Sequence, residues 1–353
     1  MYTRNILTTL LICILPLISL KAQPSLTSPE LLQSIKEATE ATNRGDYNNA
    51  IALYNYAIRL SPDNVPLRRD LAYCYFLKKD YDNANEVLKP ILNSESADPQ
   101  TYQLAAGIEQ AKGKKSKAKN ILNSGLKKFP SSGLLYNAKG NVLIVGAKKS
   151  NAAIKEWEKG ILVEPNYPAN YFNIARTLSQ EGNYLWTIIY AEKYINLDNQ
   201  GQKAVDMRKL LLDAYKNIFT THQSITLPKF KQKAERQQEL SFEQSVLDGL
   251  LTNISTVSDG YTTDNISMLR TRFLIYWNNH FAQKFPESIF SYQTQILKEG
   301  YYNAYNQSIF GAVSDSQEFS IWLNQFKEDF QKFEIWKEKN KYIPSYSDQN
   351  IKM

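Results

Sequence analysis

The cysteine and histidine side chains on which thiol catalysis and most transition-metal sites depend number only four in this 353-residue sequence: Cys13, Cys74, His222 and His280. A structural zinc site needs a full set of sulfur or nitrogen ligands, and a cysteine nucleophile needs a base beside it. Cys13 falls inside an apolar run at 6–20, so Cys74 stands as a lone thiol and reads as a small buried hydrophobe. The two isolated histidines read as one loop residue and one helix residue. GIEQAKGKKS (107–116) has the look of a phosphate-binding loop, but its glycines are spaced one residue too far apart and no strand precedes it. The Asn-x-Ser triplets at 253–255, 265–267 and 306–308 are expected by chance in a chain this rich in Asn and Ser. Arg44-Gly45-Asp46 spells a cell-adhesion tripeptide, a chemistry that needs a mobile exposed loop. Carboxylate pairs are plentiful, yet none sits in a catalytic setting. The sequence therefore predicts no catalytic residue, no metal and no cofactor.

Charge and the chain's start bound the setting. The formal charge is +7, but Arg4 and Lys21 lie in a segment expected to be removed. The remaining Lys and Arg are spread out rather than striped, so no nucleic-acid partner is expected. Arg4, the apolar run 6–20 and Lys21-Ala22-Gln23 have the order of a secretory signal peptide, with cleavage predicted after Ala22. That run is short of the ~20 residues of a comfortable membrane span. No integral span is expected after cleavage. Cys13 lacks the small residue before it that a lipid-modified cysteine needs. The ending LKAQ resembles export signals of the Bacteroidetes, which implies the periplasm or the exterior.

Self-comparison shows what positions everything else. Gly45, Tyr47, Ala50, Tyr54, Ala57 and Pro62 form a spaced set, matched thirty-four residues on by Lys79, Tyr81, Ala84, Leu88, Ile91 and Ser96. The next step gives Gly113, Lys115, Ala118, Leu122, Gly125 and Pro130. After one inserted residue come Lys148, Ser150, Ala153, Trp157, Gly160 and Pro165, and then Gly182, Tyr184, Thr187, Ala191, Tyr194 and Asn199. Upstream in each unit a small residue recurs at Ala38, Ala72, Ala106 and Ala175, with Asn141 the exception. Helices cross closely only where side chains are small, and the turn between them needs a residue that tolerates a helix-ending conformation, which Gly45 supplies. Each helix pair buries its face only against the next, so several must stand together.

This pattern resembles the tetratricopeptide repeat over residues 31–201 in five units, and the exported chain is similar to envelope proteins of that family from the Bacteroidetes. The resemblance implies a right-handed helical solenoid of about five helix pairs; the apolar side of 202–219, read as a capping helix, and the helical patterns of a smaller domain after it complete an all-α fold. The domain reading is a signal peptide at 1–22, the solenoid with its cap at 31–219, a linker at 220–240 and an aromatic-rich helical domain at 241–353. In this family the first helix of each pair lines a concave groove that holds a peptide or a partner's helix. By register, Ile35, Thr39 and Asn43 fall there in unit one, Arg69, Tyr73 and Phe76 in unit two, Gln103 and Gln110 in unit three, and Phe172, Arg176 and Gln180 in unit five. For each of them, mere covering of the stack is the competing reading. The subtype that clamps a C-terminal carboxylate carries Lys and Asn where Ile35 and Thr39 stand here, so that subtype is not implied.

The half after 240 resembles no family. Capping-box spacing at Ser241-Phe242-Glu243-Gln244 predicts a helix start. A second helix is predicted from Asp264 to Phe281, Phe285-Pro286 opens a third, and Asp315 caps a fourth that carries Phe319, Trp322, Phe326, Phe330, Phe333 and Trp336. KEGYYNAYNQSIFGA (298–312) admits two readings. Tyr301, Tyr302, Tyr305, Asn306 and Phe310 form an aromatic surface for a peptide or glycan, or else Gly300 and Gly311 bracket a short helix whose rings pack a core. The second is the ordinary fate of aromatics at helical spacing.

The expected function is thus a non-catalytic adaptor or scaffold in a bacterial envelope, binding a protein or peptide in the groove, with association to the outer membrane through a partner left open. The alternative is a carbohydrate- or peptidoglycan-binding protein whose aromatic-rich half holds the glycan while the repeats act as platform. Exposure of Tyr301, Tyr302 and Trp322 separates the two.

Overall fold

The computed structural model of the chain describes residues 28–92, 94–145, 150–223 and 240–345. The signal peptide read at 1–22 and most of the linker read at 220–240 lie outside them. All regular structure among the described residues is helical. The chain falls into two compact units that divide between Ser96 and Ala97.

The first unit holds two helix pairs, α1 (Pro29–Asn43) with α2 (Tyr47–Leu60) and α3 (Val65–Leu77) with α4 (Tyr81–Leu92). Ser28 and Asn64 cap the first helices by accepting from Leu31 N and Leu67 N, and a proline follows in each first turn. Those prolines cost nothing, since the first amides of a helix have no intrahelical acceptor. Ala38, Ala50, Ala57, Ala72 and Ala84 are fully buried, where the helices cross. Cys74 is buried among them, with its Sγ 3.2 Å from Thr42 Oγ1, and burial pushes its thiol pKa up. The register fixes backbone conformation too. Gly45, Gly113 and Gly182 have φ of +80°, +75° and +75°, and Lys79, at the same place in unit two, is the described non-glycine residue with positive φ, at 64°. The motif demands a left-handed residue there even where glycine is missing.

The second unit continues with α5 (Pro99–Ala111), α6 (Lys115–Lys128), α7 (Gly133–Ile144), α8 (Ser150–Val163), α9 (Pro168–Gln180), α10 (Tyr184–Leu197) and α11 (Gly201–Gln223). Helix α11 covers α10 with Met207, Leu211, Leu212, Tyr215 and Ile218, as a capping helix should. Thr187, where other units have alanine, is also fully buried and satisfies its hydroxyl on Asn183 O at 2.8 Å. After Leu240 come α12 (Phe242–Thr252), a 3₁₀ turn (Ile254–Val257), α13 (Thr263–His280) and α14 (Ser288–Lys298). Then α15 (Tyr302–Asn306) runs through a π-helical turn (Gln307–Gly311) to Ser314, followed by α16 (Ser316–Gln325) and α17 (Lys327–Lys339). The capping box forms at Ser241 and Gln244. Two details differ from the sequence reading. Glu287, not Pro286, caps α14, with the proline one residue outside. The helix expected from Asp315 through Trp336 breaks at Phe326, which lets Phe333 turn fully inward while Phe319 and Trp322 stay against the π-helical turn.

The compact units do not follow the boundary expected at 220–240. One apolar core runs from Ala153 to Tyr342, so the helices after 240 share it with repeats four and five. Two buried ion pairs tie them: Lys193 Nζ lies 2.8 Å from Glu287, and Arg270 pairs with Glu192.

Burial also perturbs Glu158 on α8, which accepts from Tyr190 OH at 3.5 Å. Desolvation raises its pKa from 4.5 to about 7, with Tyr190 and Lys155 opposing. Between those values the folded chain keeps a proton that the unfolded chain releases, so this residue's contribution falls as pH rises through the window. Glu158→Gln should therefore leave stability unchanged below pH 4.5 and raise it by about 1–2 kcal/mol above pH 7, measured by urea unfolding at both ends.

Candidate functional site

The residues that the register places on the first helices of the pairs are all at least partly accessible. In the first unit Asn43 ends α1 exposed, while Arg69, Tyr73 and Phe76 share α3 at helical spacing. Tyr73 is 45% exposed, unusually open for a large aromatic, and its ring stacks on Phe76 at 6.3 Å. Phe76 in turn packs on Tyr81 at 5.9 Å, so the pair forms a supported platform. Arg69 stands beside Asp70, whose carboxyl burial pushes up while the arginine charge holds it back. This face offers a ring surface with a cation, Arg69, one turn away on the same helix.

In the second unit Gln103 and Gln110 are half-buried on α5, and Phe172, Arg176 and Gln180 lie on α9, the last two exposed. Phe172 is held by Tyr194 at 5.2 Å, with the Arg176 guanidinium 5.5 Å and Lys203 Nζ 5.8 Å from its ring centre. With Asp206, Met207 and Leu210 of α11, Phe172 and Arg176 line a depression of about 300 Å³. An aromatic floor under two cations suits an acidic or aromatic side chain.

Sequence reasoning missed the share of unit four. Asn141 on α7 donates to Asn137 Oδ1 at 3.1 Å and accepts from Asn173 Nδ2 of α9 at 2.8 Å. Asn137 then donates to the fully buried Asn170, which reaches Gly133 O. The signal was present as the one unit whose small residue is missing. That departure goes with Trp157, whose Nε1 donates to Asn137 O at 3.1 Å and whose ring lies where any side chain on Gly140 would be.

The aromatic surface read at 301–310 needs correction. Tyr302, Tyr305 and Phe310 are buried, at 3% exposure or less, and close around the Arg270 guanidinium at 5.6, 5.5 and 5.1 Å. Asn306 is buried with them and accepts from Arg270. Tyr301 is half-buried against Phe333 and Trp336. The rings of Tyr302, Tyr305 and Phe310 pack a core and present no face to a glycan. Arg44, Gly45 and Asp46 are exposed but held between α1 and α2, with Asp46 capping α2 through Asn49 N. His280 is exposed at the end of α13, stacked 4.2 Å from Tyr276. Among the described residues no helix is long and apolar enough to cross a membrane.

A model of the tetratricopeptide repeat family matches residues 41–108. The chain is 28% identical over 112 residues to tetratricopeptide repeat protein 28 of Mus musculus, which covers 31% of this chain and only 4% of that protein's length. Among solved structures, a thermophilic tetratricopeptide repeat protein of Thermus thermophilus is 15% identical with a TM-score of 0.43, covering 52% of this chain and 98% of its own. A tetratricopeptide repeat protein of Parabacteroides merdae is 14% identical with a TM-score of 0.39, covering 75% and 97%. The match at 41–108 spans the second helix of unit one through the first helix of unit three, the same stretch where alanine crossings and left-handed turns recur every thirty-four residues. Over that stretch the chain carries tetratricopeptide repeats.

Proposed function

We propose that this chain is an exported, non-catalytic adaptor of a bacterial cell envelope that holds a peptide or an extended segment of a partner protein on the first helices of its repeats. The observation that carries the reading is the open, braced aromatics on those helices. Tyr73 on α3 stacks on Phe76, and Phe172 on α9 lies beneath Arg176 and Lys203. Aromatic and arginine side chains that are rigid before binding lose little entropy on contact, which is why they dominate interface energies. Amides at Asn43, Gln103, Gln110 and Gln180 add hydrogen-bonding capacity for a peptide backbone. Export rests on the order of Arg4, the apolar run 6–20 and Lys21-Ala22.

Affinity capture from envelope extract tests the assignment. With Arg69→Ala and Phe172→Ala combined, recovery of the main partner should fall at least about ten-fold, as loss of two anchors worth over ~1 kcal/mol each implies. Circular dichroism should show the helices intact. Undiminished capture by that folded variant refutes the assignment.

A further inference from the structure

The cleft beside the π-helical turn has the composition of a receptor for an organic cation. It occupies about 270 Å³ where the start of α13 meets the π-helical turn and α16. Its lining includes the carboxylates of Asp264, Asp315 and Glu318 and the rings of Phe319 and Trp322, and no lysine or arginine. Acids in the first turn of a helix are the ordinary complement to its dipole, and by themselves they would mean nothing. Here Asp315 serves that role, accepting from Gln317 N and Glu318 N. Asp264 and Glu318 have no ion-pair partner among the described residues and face the same space.

What marks the cleft as a site is Gln307. This residue is 5% exposed and lines the cleft, yet its carboxamide has no hydrogen-bond partner among the described residues. Its amide atoms reach the solvent of the cleft and are open to pair with a ligand or with water. Its place in the chain points the same way. Gln307 opens the π-helical turn Gln307–Gly311, a rare geometry found disproportionately at functional sites. Gly311 has ordinary helical angles, so glycine is there for space. A Cβ at that position would lie 2.2 Å from the Phe319 ring and 2.8 Å from Gln307 Oε1. The missing side chain lets amide and ring come together. Phe319 and Trp322 then lie nearly parallel, 8° apart at 6.4 Å, and make one apolar wall.

We infer that this cleft binds a lysine or arginine side chain of a basic peptide. The alkyl stem lies along Phe319 and Trp322, the charged head sits between Asp264 and Glu318, and Gln307 Oε1 accepts one of its N–H groups. A cation over an indole face and two carboxylates without cations of their own are mutually reinforcing, and an unpaired amide oxygen is the acceptor that a multi-proton donor needs. The inference does not depend on the first-helix faces, since the cleft is built from residues after 260.

The test is fluorine NMR on the full chain labelled with 5-fluorotryptophan, with the Trp322 resonance assigned by Trp322→Phe. The probes are N-acetyl-lysine amide, N-acetyl-arginine amide, the neutral N-acetyl-norleucine amide and glucosamine. At least one amino-acid cation should move the Trp322 resonance saturably, with a Kd of roughly 1 mM as expected of a single side chain, and added salt should weaken it. Glu318→Gln, at an exposed position, and Gln307→Leu should each weaken binding about five- to ten-fold while the other tryptophan resonances stay in place. The inference is overturned if no cation gives a saturable shift, if norleucine amide acts equally, if glucosamine is preferred, or if Glu318→Gln binds as the wild type does.

Discussion

Arg270→Leu is expected to be the most damaging single substitution in the second unit, lowering its stability by about 3–5 kcal/mol. Arg270 is 1% exposed, and its guanidinium donates to Glu192 of α10 and Asn306 of α15. Tyr215, Tyr302, Tyr305 and Phe310 surround it within 5.9 Å. Burial opposes the charge, but Glu192 and the tyrosines outweigh it and hold the arginine pKa above its usual value. Tyr305 OH also donates to Glu192 at 2.9 Å and accepts from Asn196 at 2.8 Å, so the carboxylate is organised from both sides. Leucine would leave that carboxylate buried with no cation. The urea midpoint should fall by roughly 1–2 M. Arg270→Leu combined with Glu192→Leu should recover much of the loss, because the damage lies in the orphaned charge more than in the lost pair. Equal loss in the single and double variants would show that the pair itself supplies the stability.

Gly140→Ala should cost about 2–3 kcal/mol, near the top of what one added methyl does in a packed core. A Cβ there would lie 2.1 Å from Trp157 Nε1 and 2.5 Å from Cδ1, and the indole is 2% exposed with nowhere to go. Trp157 occupies the position held by Tyr54, Leu88 and Leu122 in units one to three. The larger ring at that position is accommodated by removing a side chain from the facing helix. In the Trp157→Leu background the same glycine substitution should cost under about 1 kcal/mol, and that coupling is read from a double-mutant cycle in urea. Additive losses would show that the glycine serves the backbone instead.

What could be read from the chain alone follows from the range over which its signals act. The repeat is local: alanines at crossings and a left-handed turn recur at fixed spacing, so the register placed even Lys79 at a positive φ. The same register located Tyr73 and Phe172 on first helices, because face assignment needs only helical period. Unit four resisted because Gly140, Trp157 and the asparagines trade space and hydrogen bonds across helices. In the second half, Arg270 reads locally as one more cation on a helix. Its partner Glu192 lies 78 residues earlier, and no periodicity links them. Gln307 escaped notice for a related reason, since the π-helical turn shifts the helical phase that would otherwise assign its side chain to a face.

The most direct measurement of the central claim is site-specific photocrosslinking in envelope extract, with benzoylphenylalanine placed one position at a time. Tyr73 and Phe172 represent the first helices, and Glu86 on α4 and Lys119 on α6 are exposed positions on second helices. A partner held on the first-helix faces should be trapped at 73 or at 172 and at neither 86 nor 119. Trapping at 86 and 119 with silence at 73 and 172 would contradict the assignment of the binding face.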